Sequence, residues 1–592
     1  CVLKGRANYL CPRRFESFRD RQMESAEEVR VLGKVLVWLN EGGQGDRSEI
    51  NLNGPGEREV WLRLSAEDEG CKAEVCLSRT GGACPFYQSR LQAQSAHLII
   101  VNHALLLADI ATGSRVLPDY KYLIIDEAHH MEAATTNALS VRVTQMDLLR
   151  LIREIGGSGS GVLGRVLASL QPVSRPSDLA AFRMLVERST DLLFRLNDEL
   201  KIFFKSINDF MIDERNGDPI GGYGQTVRIL PATRKQPRWS EVEIDWDAAE
   251  TTFKQLLSTL GKGIEMLPEV AGEMSDDLED ATSALASISR RLAEYNDNLH
   301  AAIIGPPEQL IYWIEASQNN ALSINIAPLH IGPLMEKHLW HEKECIILTS
   351  ATLTAEGTFD YLRERLFAND ANELALGSPF DYENAAMLYL VNDIPEPGDQ
   401  HNYQRAVEHA LVQVSKATGG RLLALFTSYA QLKRTAAAIQ PKLTEAGIYI
   451  YEQGEGASPH ALLESFRESD KAVLLGTRSF WEGVDVPGEA LSVLMIVKLP
   501  FDVPNDPIVA SRAETFEDPF NQFSLPEAIL RFRQGFGRLI RTQSDRGVVI
   551  VLDRRLLSKR YGRLFIDSLP ECTRAVGPLA EAAKRTASWL NL

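Results

Sequence analysis

The sequence predicts an α/β protein with parallel sheets and a long helical insertion. A short apolar run at residues 123–125 has the composition of a buried parallel strand, apolar on both faces. From about residue 385, similar apolar runs alternate with helical segments, as the crossovers of a parallel sheet require. Between these regions, residues 135–305 lose strand signals and place apolar side chains at helical spacing. A chain of 592 residues with this pattern should contain several domains.

The composition is that of a globular protein. Hydrophobic residues make up 44% of the chain and charged residues 24%. No apolar run approaches the roughly 20 residues that span a bilayer, and the first residues lack a secretory signal. We therefore expect a cytoplasmic protein without a membrane partner. The net charge of -17 argues against a protein that coats nucleic acid over its whole surface, but it allows a local basic track.

A candidate basic track lies near the start of the chain. Between Lys4 and Arg21 there are six basic and two acidic residues, and Tyr9, Phe15 and Phe18 are interleaved with them. Basic and aromatic side chains together suit single-stranded nucleic acid, because they attract phosphates and stack on bases. The alternative is the solvated face of an amphipathic helix.

A group of cysteines indicates a metal. Seven cysteines occur, and four of them are grouped, at Cys11, Cys71, Cys76 and Cys84. Because a reducing cytoplasm disfavours disulfides, clustered cysteines there point to metal ligation. The wide, irregular spacing suits an iron–sulfur cluster with four thiolate ligands, whereas zinc sites usually use closer pairs. The spacing leaves iron–sulfur, zinc and unliganded thiols open; Cys345, in a later apolar run, is expected in the core.

Two carboxylates directly follow the first apolar run. Asp126 and Glu127 stand where ligands of open α/β sheets gather, outside the carboxyl ends of the strands. Hydrolysis of a nucleoside triphosphate needs such a pair, one acid for Mg²⁺ and the next to orient or deprotonate the attacking water. The alternative is that both acids only cap the next helix.

The α/β pattern returns after a helical insertion of about 170 residues. An apolar run at 310–314 is followed by another at 346–348, which ends in small hydroxyl residues. Of these, Ser350 and Thr352 can hydrogen-bond both a phosphate site and a neighbouring loop. The motif is weak evidence by itself.

A second α/β region occupies residues 385–592. Its strands are predicted from the apolar runs at 421–426, 472–476, 493–497 and 548–552. The second of these runs leads into a loop from Gly476 and Thr477 to Asp485 that carries glycines, hydroxyls and acids. The alternative is an ordinary strand-to-helix loop.

The sharpest local signal is the stretch 533–541. On a helix, Gln534, Arg538 and Arg541 would fall at i, i+4 and i+7 and share one polar stripe. Arginine contacts phosphate oxygens bidentately and can stabilise the charge of phosphoryl transfer. Two glycines inside this predicted helix reduce its stability, and the sequence shows no local structural reason for them, which favours a functional role. The alternative is a pair of surface arginines in salt bridges.

Taken in order, these stretches resemble one family, the DinG/XPD-type superfamily 2 DNA helicases with an iron–sulfur cluster. Asp126 to His129 resembles the family's Walker B box, residues 349–353 its motif III, 476–485 its motif V and 534–541 its motif VI. The resemblance spans nearly the whole chain, and the order of the boxes is far more specific than any single box. It also favours iron–sulfur over zinc.

The resemblance implies an architecture and an activity. Two RecA-like parallel-sheet motor domains are expected, the first incomplete and interrupted by an iron–sulfur domain and a mostly helical Arch domain. Such proteins use ATP and Mg²⁺ to translocate 5′→3′ on single-stranded DNA and to unwind forked DNA, which implies a monomer acting in repair or replication. The implied boundaries are 1–95 for the iron–sulfur domain, 96–134 and 306–384 for the first motor domain, 135–305 for the Arch domain and 385–592 for the second motor domain.

The resemblance also implies roles for individual residues. Asp126 and Glu127 would serve Mg²⁺ and the attacking water, Arg538 and Arg541 would be arginine fingers, and Gln534 would sense the γ-phosphate. The other implied sites are Asp485 at the nucleotide; Ser350, Thr352, Gly476 and Thr477 in coupling hydrolysis to DNA movement; Arg6, Tyr9, Arg13 and Arg14 at DNA; and Cys11, Cys71, Cys76 and Cys84 as ligands of a 4Fe-4S cluster.

One departure from the family's pattern concerns the phosphate-binding loop. The sequence contains no G-x4-G-K-[ST] motif, whose backbone N–H groups and lysine hold the phosphates. We therefore expect a C-terminal part of a longer protein that by itself neither hydrolyses ATP nor unwinds DNA. A non-motor iron–sulfur or zinc protein that binds nucleic acid would also explain the missing motif. A metal-dependent nuclease is the third alternative, although no second carboxylate cluster is recognisable.

Overall fold

A computed structural model of the chain describes residues 1–592 except 20–22, 24, 53, 68–75, 77–79, 81, 112–115, 223, 272–275, 356, 455–457, 482–487 and 489. These residues form two compact units. Unit 1 contains Cys1–Tyr120 and Ala133–His330, and unit 2 contains Lys121–Glu132 and Ile331–Leu592. No described helix is long and apolar enough to cross a membrane.

Unit 1 begins with short helices around a small apolar core. A side-chain cap from Ser25 to the backbone N–H of Glu28 fixes the start of the second helix, and Trp38 and Trp61 pack in this core with ring centroids 6.3 Å apart. The helices are α1 (Pro12–Arg19), α2 (Ala26–Asn40), α3 (Gly54–Leu64), α4 (Pro85–Ser95) and α5 (His103–Ala111).

The next elements are β1 of unit 2, a helix that contains the chain boundary between the two units, and the larger part of unit 1. In order they are β1 (Tyr122–Ile125), α6 (Met131–Leu139), β2 (Val141–Thr144), α7 (Gln145–Ile155), α8 (Gly161–Leu170), α9 (Pro176–Glu214), β3 (Gln225–Arg228), α10 (Pro231–Arg234), α11 (Pro237–Ala271), α12 (Asp276–Ile303), β4 (Leu310–Ala316) and β5 (Leu322–Pro328).

Long helices and a small antiparallel sheet share one core in unit 1. Helix α9 has 39 residues, about 58 Å at 1.5 Å per residue, and its apolar face packs with those of α11 and α12. The sheet order is β2-β5-β4-β3, and its described pairs are antiparallel. The helical character expected for 135–305 is therefore present, together with two strands that the sequence did not predict.

The sheet differs from the sequence-based expectation for physical reasons. Strands β2 and β3 have four residues each and mixed polar and apolar side chains, so they give almost no periodic signal. The apolar run at 310–314 was expected to resume the first parallel-sheet domain, but it forms β4, which pairs antiparallel with β3 and β5 in unit 1. An apolar run does not encode strand direction, because a strand buried on both faces looks the same in either sheet type.

The remaining elements belong to unit 2. They are α13 (Gly332–Met335), β6 (Cys345–Leu348), α14 (Asp360–Leu366), α15 (Tyr382–Ala385), β7 (Ala386–Val391), α16 (Gln400–Thr418), β8 (Leu422–Leu425), α17 (Tyr429–Thr444), β9 (Tyr449–Glu452), α18 (Pro459–Glu468), β10 (Ala472–Gly476), α19 (Arg478–Trp481), β11 (Val493–Ile496), α20 (Pro507–Ala513), α21 (Leu525–Phe536), β12 (Gly547–Val551), α22 (Arg555–Ser558), α23 (Gly562–Asp567), β13 (Thr573–Gly577) and α24 (Leu579–Trp589).

A parallel sheet dominates unit 2. Seven strands are described in it, in the order β13-β7-β12-β11-β8-β10-β9, and their described pairs are parallel. One face packs against α16, α17 and α24, and the other against α18, α19, α21 and α23. This doubly covered sheet explains why the central strands are apolar on both faces. It confirms the predicted α/β class and the four strands predicted after residue 385.

Strand β1 pairs in parallel with β6 as a separate two-stranded sheet. Ile125 is buried, but Tyr122 and Ile124 are 70% and 66% exposed. The expectation of burial on both faces is therefore wrong for β1, because no further strand lies beside the pair in the described part of the chain. Cys345, expected in the core, is also exposed at the start of β6.

A cluster of buried charges ties several elements of unit 2 together. Glu132 forms ion pairs with Arg365 and, at 3.0 Å, with Arg512. Glu527 of α21 accepts from Arg365 at 3.3 Å and from Arg531 at 3.2 Å. Because these five side chains are at most 23% exposed, removing one charge would leave its partners desolvated and unbalanced.

We expect Glu132→Gln to lower the free energy of unfolding of unit 2 by about 3–5 kcal/mol, since it leaves Arg365 and Arg512 without their shared carboxylate. Urea-induced unfolding measures this change. The matched control is Glu464→Gln, which removes an exposed ion pair with Arg467 and should change the free energy by less than about 0.5 kcal/mol. Equal small effects from both variants would contradict a structural role for the cluster.

Candidate active site

The pairing of β1 with β6 brings two loops together at the carboxyl ends of these strands. Ile125 stands opposite Leu348 in the register, so Asp126 and Glu127 emerge beside Thr349 and Ser350. The loops remain bonded beyond the strands: the backbone N–H of Thr349 donates to the carbonyl of Ile125 at 2.9 Å, and that of Ala128 donates to Thr349 at 3.0 Å. Two stretches far apart in sequence therefore form one polar surface.

Glu127 adopts a backbone conformation that is uncommon for a residue with a side chain. Its φ and ψ are 50° and 43°, in the left-handed region, and its N–H donates to Oδ1 of Asp126 at 3.0 Å. Such a conformation costs on the order of 1–3 kcal/mol and persists where its surroundings fix it. The turn leaves the Glu127 carboxylate 58% exposed at the end of the strand.

A hydroxyl and an imidazole hold the Glu127 carboxylate. Oγ of Ser350 donates to Oε2 of Glu127 at 3.2 Å, and Nδ1 of the nearly buried His129 lies 2.6 Å from Oγ of Ser350 and 3.3 Å from Oε2 of Glu127. Where the Ser350 hydroxyl donates its proton to Glu127, the 2.6 Å contact requires the His129 proton on Nδ1. Sequence analysis gave His129 no role beyond its place in the Walker B box.

The contacts continue from Ser350 to the predicted γ-phosphate sensor. The N–H of Thr352 donates to Oγ of Ser350 at 3.2 Å, and Nε2 of Gln534 donates to Oγ1 of Thr352 at 3.2 Å. Oε1 of Gln534 is buried and has no hydrogen-bond partner among the described residues. A buried acceptor without a donor costs about 1–3 kcal/mol, so this oxygen is suited to accept from a water or a ligand. Glu127, Ser350, Thr352 and Gln534 form one connected chain.

The two predicted arginine fingers lie beyond the end of their predicted helix. Helix α21 ends at Phe536, so the helical stripe that was to join Gln534, Arg538 and Arg541 does not form. Gly537 stands at the C-cap in a right-handed conformation. Nε of Arg538 donates to the carbonyl of Trp481 at 3.1 Å, and the backbone N–H of Arg541 donates to Asp545 at 2.7 Å.

Arg533 is a neighbour of the site that sequence analysis did not single out. Its guanidinium donates to the carbonyl and, at 3.1 Å, to the hydroxyl of Thr354, two residues beyond Thr352. Burial lowers the pKa of Arg533. Its place immediately before Gln534 was the only sequence signal available, and that signal does not distinguish it from the other arginines of the stretch.

One of the glycines in this stretch has a packing reason that the sequence did not show. A Cβ at Gly535 would lie 2.9 Å from the ring of Trp481, closer than such atoms approach. A Cβ at Gly537 would meet nothing nearer than a carbonyl oxygen at 3.4 Å. The cost of Gly535 to helix stability is therefore offset by close packing of α21 against Trp481.

Gly476 and Thr477 form a separate group around a residue that the sequence did not reveal. The N–H and hydroxyl of Thr477 both donate to Oε1 of Gln453 at 2.8 Å, while Nε2 of Gln453 donates to Ser479 at 3.0 Å. A Cβ at Gly476 would lie 2.5 Å from Phe480, so this turn is closely packed. Asp485 lies outside the described residues.

The predicted DNA-binding residues near the start of the chain are largely engaged within unit 1. Tyr9, Phe15 and Phe18 are at most 8% exposed, so these aromatic rings belong to the core and offer no face for base stacking. Phe15 and Phe18 are three residues apart on α1 and therefore share its buried face. Arg14 donates to the carbonyl of Ser65 at 3.1 Å, and Arg6 lies 5.2 Å from the ring centroid of Phe86. For Arg13 the structure adds nothing to the prediction.

Three of the four predicted cluster ligands lie together in unit 1. Cys11, Cys76 and Cys84 are buried in one small core with Tyr9 and Phe86, and Cys71 lies outside the described residues. Within the described ranges, no three histidine, cysteine or acidic side chains are grouped so that they could hold a metal ion. The soft, buried thiols suit iron or zinc in their chemistry, and the identity of any bound metal stays a prediction.

We expect Gly535→Ala to lower the free energy of unfolding of unit 2 by about 1–3 kcal/mol, because the added methyl group collides with Trp481. The matched control is Gly537→Ala, where the added atom has ordinary contacts and the change should stay within about 1 kcal/mol. Thermal and urea unfolding measure both variants. A control as destabilised as Gly535→Ala would contradict the packing explanation.

Two family models match parts of the chain. A family model described as a helicase C-terminal domain matches residues 411–572, and one described as DEAD_2 matches residues 72–148.

Curated relatives cover almost all of the chain. A protein named 3′-5′ exonuclease DinG from Bacillus subtilis is 33% identical over 96% of this chain and 61% of its own length, so the chain spans less than two thirds of that relative. ATP-dependent DNA helicase YoaA from Haemophilus influenzae is 30% identical over 97% of the chain and 82% of its own length. The Escherichia coli protein of the same name is 28% identical over 97% and 82%. The chain therefore belongs to the DinG/YoaA group of the DinG/XPD-type superfamily 2 helicases.

Proposed function

We propose that the chain forms the greater part of an ATP-dependent DNA helicase that moves 5′→3′ on single-stranded DNA in repair or replication. Single-stranded and forked DNA are its substrates, and it works as a monomer. The observation that carries the proposal is the connected chain from Glu127 through Ser350 and Thr352 to Gln534. Family membership supports ATP and DNA as substrates, and the direction and cellular role rest on the family resemblance.

The roles proposed at the nucleotide follow from the positions of the side chains. Asp126 holds Mg²⁺, which would neutralise phosphate charge when bound. The exposed Glu127 carboxylate orients the attacking water and takes up its proton, and Oε1 of Gln534 accepts a hydrogen bond from a water or from a donor on the nucleotide. Arg538 and Arg541 stabilise the charge of the transferred γ-phosphoryl group. Asp485 is proposed as a further nucleotide contact.

The proposed coupling of hydrolysis to DNA movement uses the hydroxyls between these groups. Ser350 contacts Glu127 and the backbone of Thr352 at the same time. A change in the protonation or ligand state of Glu127 would therefore alter hydrogen bonds to the loop that follows β6. Gly476 and Thr477, held by Gln453, are proposed to transmit the change at the second parallel sheet.

A 4Fe-4S cluster held by Cys11, Cys71, Cys76 and Cys84 is the second part of the proposal. The burial of three of these thiols in one small core supports it, as does the spacing of the four cysteines. A bound cluster would cross-link segments of the residue 1–95 region through the cysteine thiolates that hold it. These thiols are proposed to shape a rigid fold beside Phe86 rather than to take part in hydrolysis.

We expect ATP hydrolysis stimulated by single-stranded DNA when the chain is extended upstream to the natural start of its coding sequence, and none from residues 1–592 alone, which lack a G-x4-G-K-[ST] motif. In the extended protein, Glu127→Gln should lower kcat by about 10²- to 10⁴-fold, because the water loses its base. Arg538→Ala should lower it by about 10³-fold or more. A phosphate-release assay measures hydrolysis by the chain alone, by the extended protein and by both variants.

The matched control is Arg563→Ala, which removes an 86% exposed arginine paired with Asp567 and should leave kcat unchanged. Hydrolysis by residues 1–592 alone would contradict the role of the missing motif. No hydrolysis by either protein, with salt-dependent binding of single strands intact, would favour the alternative of a non-motor nucleic-acid-binding protein.

Protein purified without oxygen should contain about four iron and four sulfide ions per chain, measured by elemental and sulfide analysis. Cys76→Ser should lose most of this iron, since it removes a buried thiol of the proposed ligand set. Cys345→Ser, at an exposed cysteine in unit 2, is the control and should retain it. One or more zinc ions in place of iron would overturn the iron–sulfur assignment.

A further inference from the structure

The connection between α21 and β12 carries Arg541 outside any helix or strand. Helix α21 ends at Phe536, and β12 begins at Gly547. Leu539 and Ile540, at most 2% exposed, anchor the middle of this connection in the apolar core of unit 2. Arg541 follows them directly and is half-buried. The backbone at Arg541 is therefore held by the turn that begins there and not by a helix.

The carboxylate of Asp545 organises this turn. One of its oxygens, Oδ2, accepts from the backbone N–H of Arg541 at 2.7 Å and from that of Thr542 at 2.8 Å. The N–H of Asp545 in turn donates to the carbonyl of Thr542 at 3.3 Å. Because a buried backbone N–H needs an acceptor and α21 has already ended, the carboxylate takes the place that a helical carbonyl would otherwise fill.

The other oxygen of the same carboxylate joins a second stretch of the chain to the turn. Oδ1 accepts from the hydroxyl of Thr542 at 2.6 Å and from the backbone N–H of Gly488 at 3.2 Å. Gly488 comes three residues after Asp485 in the sequence. One carboxylate thus links the turn that carries Arg541 to the chain that follows Asp485.

These contacts require a carboxylate and not merely a polar side chain. Asp545 is 8% exposed, and no cation forms an ion pair with it in the described part of the chain. Burial raises the pKa of Asp545, but the hydrogen bonds from Thr542, Arg541 and Gly488 lower it further, so that the pKa lies below its ordinary value. An asparagine would accept on one oxygen only, and its NH₂ group would face the N–H of Gly488. Four converging donors therefore explain the buried charge.

We propose that Asp545 is a positioning residue for ATP hydrolysis, whose carboxylate fixes the backbone at Arg541 and, through it, the guanidinium that stabilises the transferred γ-phosphoryl group. The inference rests on the proposed function of Arg541, and it adds a residue that contacts no reactant. A displacement of about 1 Å in a catalytic group can lower a rate by about 10²-fold. Hydrogen bonds at the backbone of Arg541 can therefore control much of its effect.

The first arm measures hydrolysis by the extended protein with single-stranded DNA, as phosphate release over a range of ATP concentrations. Asp545→Asn should lower kcat by about 10²-fold and change the KM for ATP by less than about threefold, because the guanidinium acts mainly on the transition state. The matched control is Asp567→Asn, the same substitution at a 51% exposed carboxylate paired with Arg563, and it should leave kcat unchanged.

A milder variant keeps the carboxylate and removes one of its donors. Thr542→Val has nearly the same shape as the natural residue but loses the hydroxyl that donates to Oδ1 of Asp545. It should lower kcat by about three- to tenfold, the effect of one hydrogen bond. Urea unfolding and circular dichroism establish that each variant is folded. Where Asp545→Asn does not fold, Thr542→Val decides the question by the comparison that follows.

The second arm repeats both substitutions in an Arg541→Ala protein and follows single-turnover hydrolysis of ATP labelled in its γ-phosphate. If Asp545 acts through Arg541, neither substitution should lower the rate further, because the group that they displace is already absent. A purely structural role would lower the rate by the same factor in both backgrounds.

Three results would overturn the positioning role. They are an Asp545→Asn protein as active as the unaltered one, an equal loss of rate with and without Arg541, and an Arg541→Ala protein with undiminished activity. Absence of hydrolysis in the unaltered extended protein is a different result, since it would overturn the proposed function and this inference with it.

Discussion

The parallel pairing of β1 with β6 is the constraint on which the candidate active site depends. Four backbone positions on each strand set the register, and this register decides which residue of one loop meets which residue of the other. A slip of one residue would exchange the faces of the strand and separate Ser350 from Glu127. The hydrogen bonds from Thr349 and Ala128 extend the pairing into the loops, so the carboxylate and its partners are fixed mainly by backbone.

Two features of the candidate active site lower the stability of the folded state, and both lie near the ion-pair cluster of unit 2. The left-handed Glu127 and the unpartnered Oε1 of Gln534 each cost on the order of 1–3 kcal/mol. The ion-pair cluster around Glu132 and Glu527 lies near both along the chain: Glu132 is five residues after Glu127, and Glu527 is on the same helix as Gln534. The cluster and the site are thus mechanically connected within unit 2.

Sequence analysis predicted structure correctly where neighbouring residues or a clear apolar pattern determine it. The apolar runs gave four strands of the parallel sheet, and a strand end followed by two acids located Asp126 and Glu127. Sequence analysis failed where contacts between residues distant in sequence determine the structure. The short strands β2 and β3 carry no periodic signal, and the aromatic rings near the start of the chain satisfy a core rather than a nucleic acid.

At the candidate active site, sequence analysis likewise found individual residues but not the contacts between them. Ser350, Thr352 and Gln534 were predicted as separate positions, and their connection to Glu127 required knowledge of strand register and of where α21 lies. Gln453 and Arg533 make contacts at these loops through side chains whose sequence context is ordinary. Helix α21 was predicted to continue through Arg541, because spacing alone does not reveal that the helix ends at Phe536.

The distance along the chain between β1 and β6 has a consequence for biosynthesis. About 220 residues separate the end of β1 at Ile125 from the start of β6 at Cys345, and most of them fold into the second segment of unit 1. At roughly 5–20 residues per second, the ribosome needs on the order of 10–40 seconds to supply the partner strand. During that time the backbone of β1 lacks the strand with which it later pairs, although Ile125 is buried in the finished structure.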